Sequence, residues 1–451
     1  MRDLRARPPL PVVRAHGCRL ELADGRTIFD GIASWWCKSL GHGHPGVRAA
    51  IERQLADFEH VIVAGFTHDP LVRLCERLLA LANGAGPAGF GPDAPAGHPG
   101  GHFGHVFLAD NGSTAVEIAL KMALQAQAQR GASSRTRFAA FANGYHGETV
   151  GALSVGDLGL YADPYRALTF PVTQLGPLPY RTGASDPRWL DPEPEWNAIA
   201  AQLAPIADTL AAIIYEPVLQ AAGGMLFYSP ALLAKLRAFA DAHGIYLIAD
   251  EIAAGLGRVG AMLASHLVPD ARAMLPDFVT LSKGLTAGFL PLSAVLMTPA
   301  IYDLFDADYA SRRAFLHSNT YTGNALGIAA ALGALDAYAT EDVLGDVVRG
   351  GHVLADGVAT LAARRPHVRN VRQLGMVAAF DLVAPSGAPF DPGARTGYRI
   401  AGAALERGAL FRPLGDTLYV FPPLNTNESD LRAMVDILGA SIDAVVAEGS
   451  R

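Results

Sequence analysis

Three short apolar runs in this chain each end on a residue able to do chemistry. Ala211-Ala-Ile-Ile-Tyr215 ends on Glu216-Pro217, Ile245-Tyr-Leu-Ile-Ala249 on Asp250-Glu251, and Asp277-Phe-Val-Thr-Leu281 on Ser282-Lys283-Gly284. A carboxylate and a primary amine on neighbouring strand ends are what a pyridoxal phosphate cofactor requires of a protein. The amine forms a Schiff base with the cofactor's aldehyde, and the carboxylate keeps the ring nitrogen protonated so that the ring draws electrons. Asp250 and Lys283 suit those roles. Taken alone, the pair reads more readily as a helix N-cap and a solvated surface lysine; the surrounding residues have to decide.

The elements that must position this pair follow from periodicity. Short apolar runs separated by helical pattern read as buried parallel strands, whose ligand sites lie at their carboxyl ends. Between the second and first runs, residues 230–243 carry Leu232, Leu233, Leu236 and Phe239 at helical spacing, and Gly244 follows as a C-cap. Upstream, Val106–Ala109 reads as a strand running through Asp110-Asn111 into Gly112-Ser113-Thr114 and a helix to Gln129. A glycine and hydroxyls at a helix N-terminus suit a phosphate, although Ser and Thr are also ordinary N-caps. The strand Arg137–Phe141 leads to Asn143-Gly-Tyr145-His-Gly147, where an aromatic between glycines can stack on a flat ring or simply occupy a turn. Trp35-Trp36, beside Ser34, are either core or the wall of a pocket. His42 and His44 sit in a Gly/Pro-rich turn with no third ligand at suitable spacing, so no metal is expected.

Length and composition bound the rest. The 451 residues suffice for two domains, half of them are hydrophobic (50%) and 18% are charged, which favours a large core over disorder. A net charge of −7 gives no basic footprint for nucleic acid. No apolar run reaches the roughly 18 residues a membrane span needs, so no membrane partner is expected. Three cysteines without metal spacing read as reduced thiols in a cytoplasmic protein.

The expected organisation is α/β. Residues 1–57 begin with a β-meander over 12–30 and pack with a small domain; residues 58–325 form a large domain with a mostly parallel sheet flanked by helices; residues 326–451 form the small α+β domain. Residues 83–105, dense in Gly, Pro and Ala, read as a surface insertion without chemistry, and 156–196 as a proline-rich loop region. No GxGxxG follows an early strand, which sets aside a nicotinamide dehydrogenase.

In sequence order, Gly112-Ser113, Tyr145-His-Gly147, Glu216-Pro217, Ile248-Ala-Asp250-Glu251, Ser282-Lys283-Gly284 and Thr320-Tyr-Thr-Gly-Asn324 make the chain resemble the class III pyridoxal-phosphate aminotransferases of fold type I. Ser34-Trp35-Trp36, Gly65-Phe-Thr-His68, Val116–Met122, Phe411-Arg412-Pro413 and Tyr419–Pro423 are similar to the adenosylmethionine–8-amino-7-oxononanoate branch of that family, which works in biotin synthesis. The resemblance implies that Lys283 is the cofactor lysine and proton carrier. It pairs Asp250 with the pyridine nitrogen, holds the phosphate on Gly112 and Ser113, and stacks Tyr145 on the ring. Asn319 and Thr320 would reach the phosphate from the other subunit of a homodimer with shared active sites.

For substrates, the resemblance implies S-adenosylmethionine as amino donor and 8-amino-7-oxononanoate (KAPA) as acceptor, with 7,8-diaminononanoate (DAPA) as product. Trp35, Trp36, Tyr145, Ser318, Arg412 and Tyr419 would bind substrate, Arg412 through its carboxylate. Glu216 would bridge Arg412 or support Asp250. Relatives carry an aromatic ahead of the segment matching Pro9, and that contact is expected to be replaced here or to lie upstream of the given start. They also carry Gly-Pro or Ser-His where this chain has Ser318-Asn319, and some have Asp at Glu148. A lysine-donor enzyme, an ω-amino acid:pyruvate aminotransferase and a non-catalytic binder of the same fold are the competing readings.

Overall fold

The computed structural model describes residues 8–97, 100–270, 274–384 and 386–449. The chain divides into two compact units, one of residues 46–344 and one combining Met1–Pro45 with Gly345–Arg451. These junctions differ from the expected 57/58 and 325/326. The physical reason is helix packing: α1 (Pro45–Asp57) lies against α5 (Ala325–Thr340), where a Cβ on Gly333 would come within 2.9 Å of Val47 Cα and 3.0 Å of Ala50 Cβ. Both helices therefore belong to the larger unit.

That unit is built on a seven-stranded sheet: β1 (His105–Ala109), β2 (Arg137–Phe141), β3 (Val172–Leu175), β4 (Leu210–Tyr215), β5 (Tyr246–Asp250), β6 (Phe278–Leu281) and β7 (Ser293–Met297), in the order β1-β7-β6-β5-β4-β2-β3. Pairing is parallel except where β7 runs antiparallel to both its neighbours. Every residue of β4, β5, β6 and β7 is buried. Their mostly apolar composition follows, because a parallel sheet is covered on both faces. Helix α3 (Gly112–Gln129) supplies one cover, with Val116, Ile118, Ala119, Met122 and Ala123 in the core beside Ile214, Ile248 and Val295. Helix α4 (Ala231–His243) ends on Gly244 at φ +63, the left-handed C-cap its sequence predicts.

Two stretches differ from expectation. Residues 83–105, which follow helix α2 (Asp69–Ala82), are anchored: Phe90 and Phe103 are buried, the Arg77 guanidinium donates to Phe90 O, and Asn83 brackets the Phe103 backbone at 2.9 and 3.0 Å. The pair 98–99 lies outside the described residues. The region 156–196 contains β3 and the start of a helix over Glu193–Leu203.

The smaller unit carries the expected meander, Val12–His16, Arg19–Leu22 and Thr27–Asp30, with Ala409–Leu410 added parallel to its last strand. A second sheet joins Val368–Leu374, Val377–Leu382 and Thr417–Val420. Helices Thr396–Glu406 and Glu428–Gly449 pack with these strands.

Candidate active site

In the larger unit, parallel register decides which side chains meet. Asp250, the last residue of β5, pairs with Thr280 of β6, and Lys283 follows three residues on. The chain turns sharply there: Lys283 is in the left-handed region at φ +46, and the Ser282 hydroxyl donates to Leu292 O at 2.8 Å. Backbone strain of this kind persists only where its surroundings hold it. The turn thus aims a partly exposed lysine from a rigid strand end.

Asp250 is buried and well supplied with donors. Its Oδ2 lies 2.8 Å from His146 Nδ1, while Oδ1 accepts from the Ile252 N–H at 3.1 Å and the Thr280 hydroxyl at 3.4 Å. A carboxylate only accepts, so His146 donates from Nδ1. Its Nε2 is buried and, among the described residues, has no hydrogen-bond partner. His146 is the functional residue that motif reading left without a role, although it stands inside the Tyr145-His-Gly147 signal.

Two buried glutamates sit beside Asp250 and serve the backbone. Glu216 accepts from the Tyr145 N–H and the Ala221 N–H, each at 3.0 Å, so neither expected role applies directly; it fixes the Tyr145 loop whose next residue holds Asp250. Burial pushes its carboxyl up to about 7, with His146 and the two N–H groups pulling the other way. Glu251 is likewise pushed up to about 7 by burial, and its oxygens take the Ala264 N–H and the N–H and hydroxyl of Ser265.

The Tyr145 hydroxyl donates to Glu148 at 3.1 Å and its ring lies 5.6 Å from that of Tyr161; burial, then Glu148, raises its pKa. At the start of α3, Asn111 forms a capping box with Thr114, leaving Gly112 and Ser113 at the mouth of the helix. Gly147, at φ +124, packs so closely that a Cβ there would overlap the Ser113 hydroxyl. Farther along, Ser318 and Thr320 are exposed and Asn319 is half-buried, its Oδ1 buried without a partner among the described residues.

In the smaller unit, Trp36 is buried, its indole N–H donating to the Tyr419 hydroxyl at 3.2 Å and its ring tilted on Phe421 at 5.7 Å. Trp35 is 53% exposed, and the Arg412 guanidinium lies 4.2 Å from its ring centroid. The parallel pairing of Leu410 with Asp30 brings Arg412 to this turn. Arg412 is itself exposed. All of Ala33, Ser34, Trp35 and Trp36 have positive φ, between 45 and 71°. Left-handed backbone costs an L-residue about 1–2 kcal/mol, so roughly 4–8 kcal/mol must be offset here. Nothing in Ala-Ser-Trp-Trp announces it.

The residues fit a pyridoxal phosphate. A buried carboxylate ringed by donors and a lysine stand on adjacent strand ends, a tight glycine and a hydroxyl stand at a helix N-terminus, and a buried His Nε2 lacks a partner among the described residues. A seven-stranded, mostly parallel sheet bearing this set defines a pyridoxal-phosphate-dependent transferase of fold type I. The family model "Aminotransferase class-III" matches residues 3–442, and the chain belongs to that family of pyridoxal-phosphate-dependent transaminases.

Relatives named adenosylmethionine-8-amino-7-oxononanoate aminotransferase include one from Synechococcus elongatus, 39% identical over 97% of this chain and 96% of its own. Another, from Nitratidesulfovibrio vulgaris, is 38% identical over 100% of this chain and 80% of its own. The crystal structure of the Methanocaldococcus jannaschii enzyme of that name superposes with TM-score 0.87 at 28% identity, covering 98% and 95% of the two chains. An amine transaminase from an uncultivated Pseudomonas species, solved in its PLP-bound form, gives 0.85 at 33% identity over 98% and 96%. Among the described residues no helix is long and apolar enough to cross a membrane.

Proposed function

We propose that this chain transfers the amino group of S-adenosylmethionine to KAPA, giving DAPA for biotin synthesis. The observation that carries the substrate assignment is the Arg412–Trp35 pair: a planar cation 4.2 Å above a half-open indole suits a carboxylate at the end of an apolar chain. The names of the relatives at 38 and 39% identity support the same reading.

Bound pyridoxal phosphate supplies an aldehyde carbon for the donor amine and a ring that draws off the electron pair left at the donor's α carbon. Lys283 Nζ would take the proton from that carbon and then give it up again, the work of a positioned general base that turns acid. Asp250, fixed by His146, Ile252 and Thr280, keeps a proton on the ring nitrogen. Gly112 and Ser113 would hold the phosphate, and Tyr145 would lie against the ring. Trp35 with Arg412 takes the acceptor's chain and carboxylate, Trp36 and Tyr419 back them, and Ser318 contacts substrate.

We also propose a homodimer in which Asn319 and Thr320 of one protomer reach the phosphate in its partner. Ile62, Phe66, Leu316 and Tyr321 leave apolar surface exposed in the single chain, at 59, 65, 86 and 59%, as an interface residue set does. We place the chain in the cytoplasm, where three cysteines without metal spacing would stay reduced. Steady-state assays with S-adenosylmethionine and KAPA test the function: DAPA detected by mass spectrometry, with parallel double-reciprocal lines, is the expected result. No DAPA with this donor, but DAPA with lysine, overturns the donor assignment.

A further inference from the structure

The left-handed turn at residues 33–36 is held from below by one buried carboxylate. Asp30 is fully buried; its Oδ1 accepts from the Ser34 N–H at 3.0 Å and the Ile32 N–H at 3.4 Å. Its Oδ2 accepts from the Ser34 hydroxyl at 2.7 Å and lies 2.8 Å from His42 Nε2, which is also 3.3 Å from that hydroxyl. The turn adds its own bonds, Trp36 N–H to Ile32 O at 2.9 Å and Cys37 N–H to Ala33 O at 3.0 Å. Burial pushes the Asp30 carboxyl up, but the bonds from His42 and Ser34 more than reverse this and hold it below the usual carboxylate range. The charged form is therefore the one that the site is built around.

A run of four left-handed L-residues has no local reason to persist. Two consequences follow for the tryptophans. Trp36 points into the core against Tyr419 and Phe421, and Trp35 is left half-exposed under Arg412. A right-handed or extended path through the same residues changes both directions. The three side chains that close the network come from strand end, turn and the following Gly41-His42-Gly43 loop, so the loop is tied to the turn it follows.

We propose that Asp30, with Ser34 and His42, is the positioning group that sets the direction of Trp35 and thereby the enzyme's affinity for its apolar acceptor. This rests on the reading of Trp35 as an acceptor contact. None of the three residues need touch substrate. Asp30→Asn keeps the shape but replaces one accepting oxygen with a donor facing His42 and the Ser34 hydroxyl.

The test uses the cofactor-loaded full chain and KAPA as acceptor, with Trp35→Ala as a parallel control. Asp30→Asn is expected to raise KM for KAPA about tenfold, the scale of one lost charge-assisted bond, while kcat stays within about twofold. Amide hydrogen exchange over residues 31–38 is expected to quicken about tenfold, with the rest of the chain unchanged. His42→Gln, which keeps a donor for Asp30, should return KM to within about twofold of the parent, and His42→Ala should not. If Trp35→Ala raises KM but Asp30→Asn does not, the proposal is wrong and the reading of Trp35 stands. If Trp35→Ala leaves KM unmoved, the reading falls and takes the proposal with it. A fall in kcat with KM unchanged, or exchange quickened throughout the chain, marks general destabilisation and also overturns it. Should Asp30→Asn fail to fold, Ser34→Ala, which removes only the hydroxyl, is read by the same criteria.

Discussion

Replacing His146 tests whether Asp250 is prepared for a cofactor. Among the described residues, the shortest bond to Asp250 is the 2.8 Å contact with His146 Nδ1, and two further donors lie at 3.1 and 3.4 Å. Both side chains are shielded from water, at 3% and 4% exposure, so solvent does not replace the donor. A hydrogen bond to a charged group is worth about 1.5–3 kcal/mol. At about 1.4 kcal/mol per decade, its loss weakens the hold on a protonated pyridine nitrogen by roughly ten- to a hundredfold. His146→Ala should therefore raise the Kd for pyridoxal phosphate by that factor, measured by titrating apo-protein and following the bound cofactor's absorbance. His146→Asn, whose amide N–H can stand near the Nδ1 position, should recover most of the loss. If His146→Ala binds the cofactor within twofold of the parent while its apo-form melts lower, His146 serves packing alone and the reasoning fails.

Three further outcomes follow from the same geometry. Glu216 has its pKa raised from 4.5 to about 7; the folded chain holds that proton more tightly than the unfolded chain, so the group's contribution to stability is complete below pH 4.5 and is lost as pH rises through about 7. By linkage the change approaches about 3 kcal/mol, and thermal melts of Glu216→Gln should show a shallower decline than the parent across that window, whereas parallel curves refute the assignment. Gly147→Ala adds a Cβ against the Ser113 hydroxyl at φ +124, and should weaken cofactor binding about tenfold or more by fluorescence titration. Arg412→Lys keeps the charge but loses the planar fork, and should raise KM for KAPA about tenfold with little change in kcat, read from initial rates.

Much of the fold is legible in the sequence. Asp250 and Lys283 stand out because buried parallel strands are near-continuous apolar runs, so the reactive residues at the end of each run mark the sheet's carboxyl edge. Gly244 and the capping sequence at Asn111–Thr114 are equally local signals. What escaped notice depends on contacts between distant residues. The His146–Asp250 bond spans 104 positions, and no spacing rule links them. Residues 83–105 hide two buried phenylalanines in a composition that reads as a loop, because anchoring by Arg77 and Asn83 is a tertiary fact. The left-handed turn is the clearest case. Positive φ is ordinarily signalled by Gly or Asn, yet here Ala, Ser and two Trp adopt it because a carboxylate four residues earlier and an imidazole eight residues later hold Ser34 from both sides.

The most direct measurement is single-turnover absorbance of the purified, cofactor-loaded chain offered S-adenosylmethionine alone and then KAPA. The account predicts that the visible absorbance of the lysine-bound cofactor falls with the donor, returns with KAPA, and is absent from the start in Lys283→Ala. A parent protein whose absorbance ignores S-adenosylmethionine but falls with lysine contradicts the donor assignment. A Lys283→Ala protein that keeps the parent's absorbance and turnover contradicts the site itself.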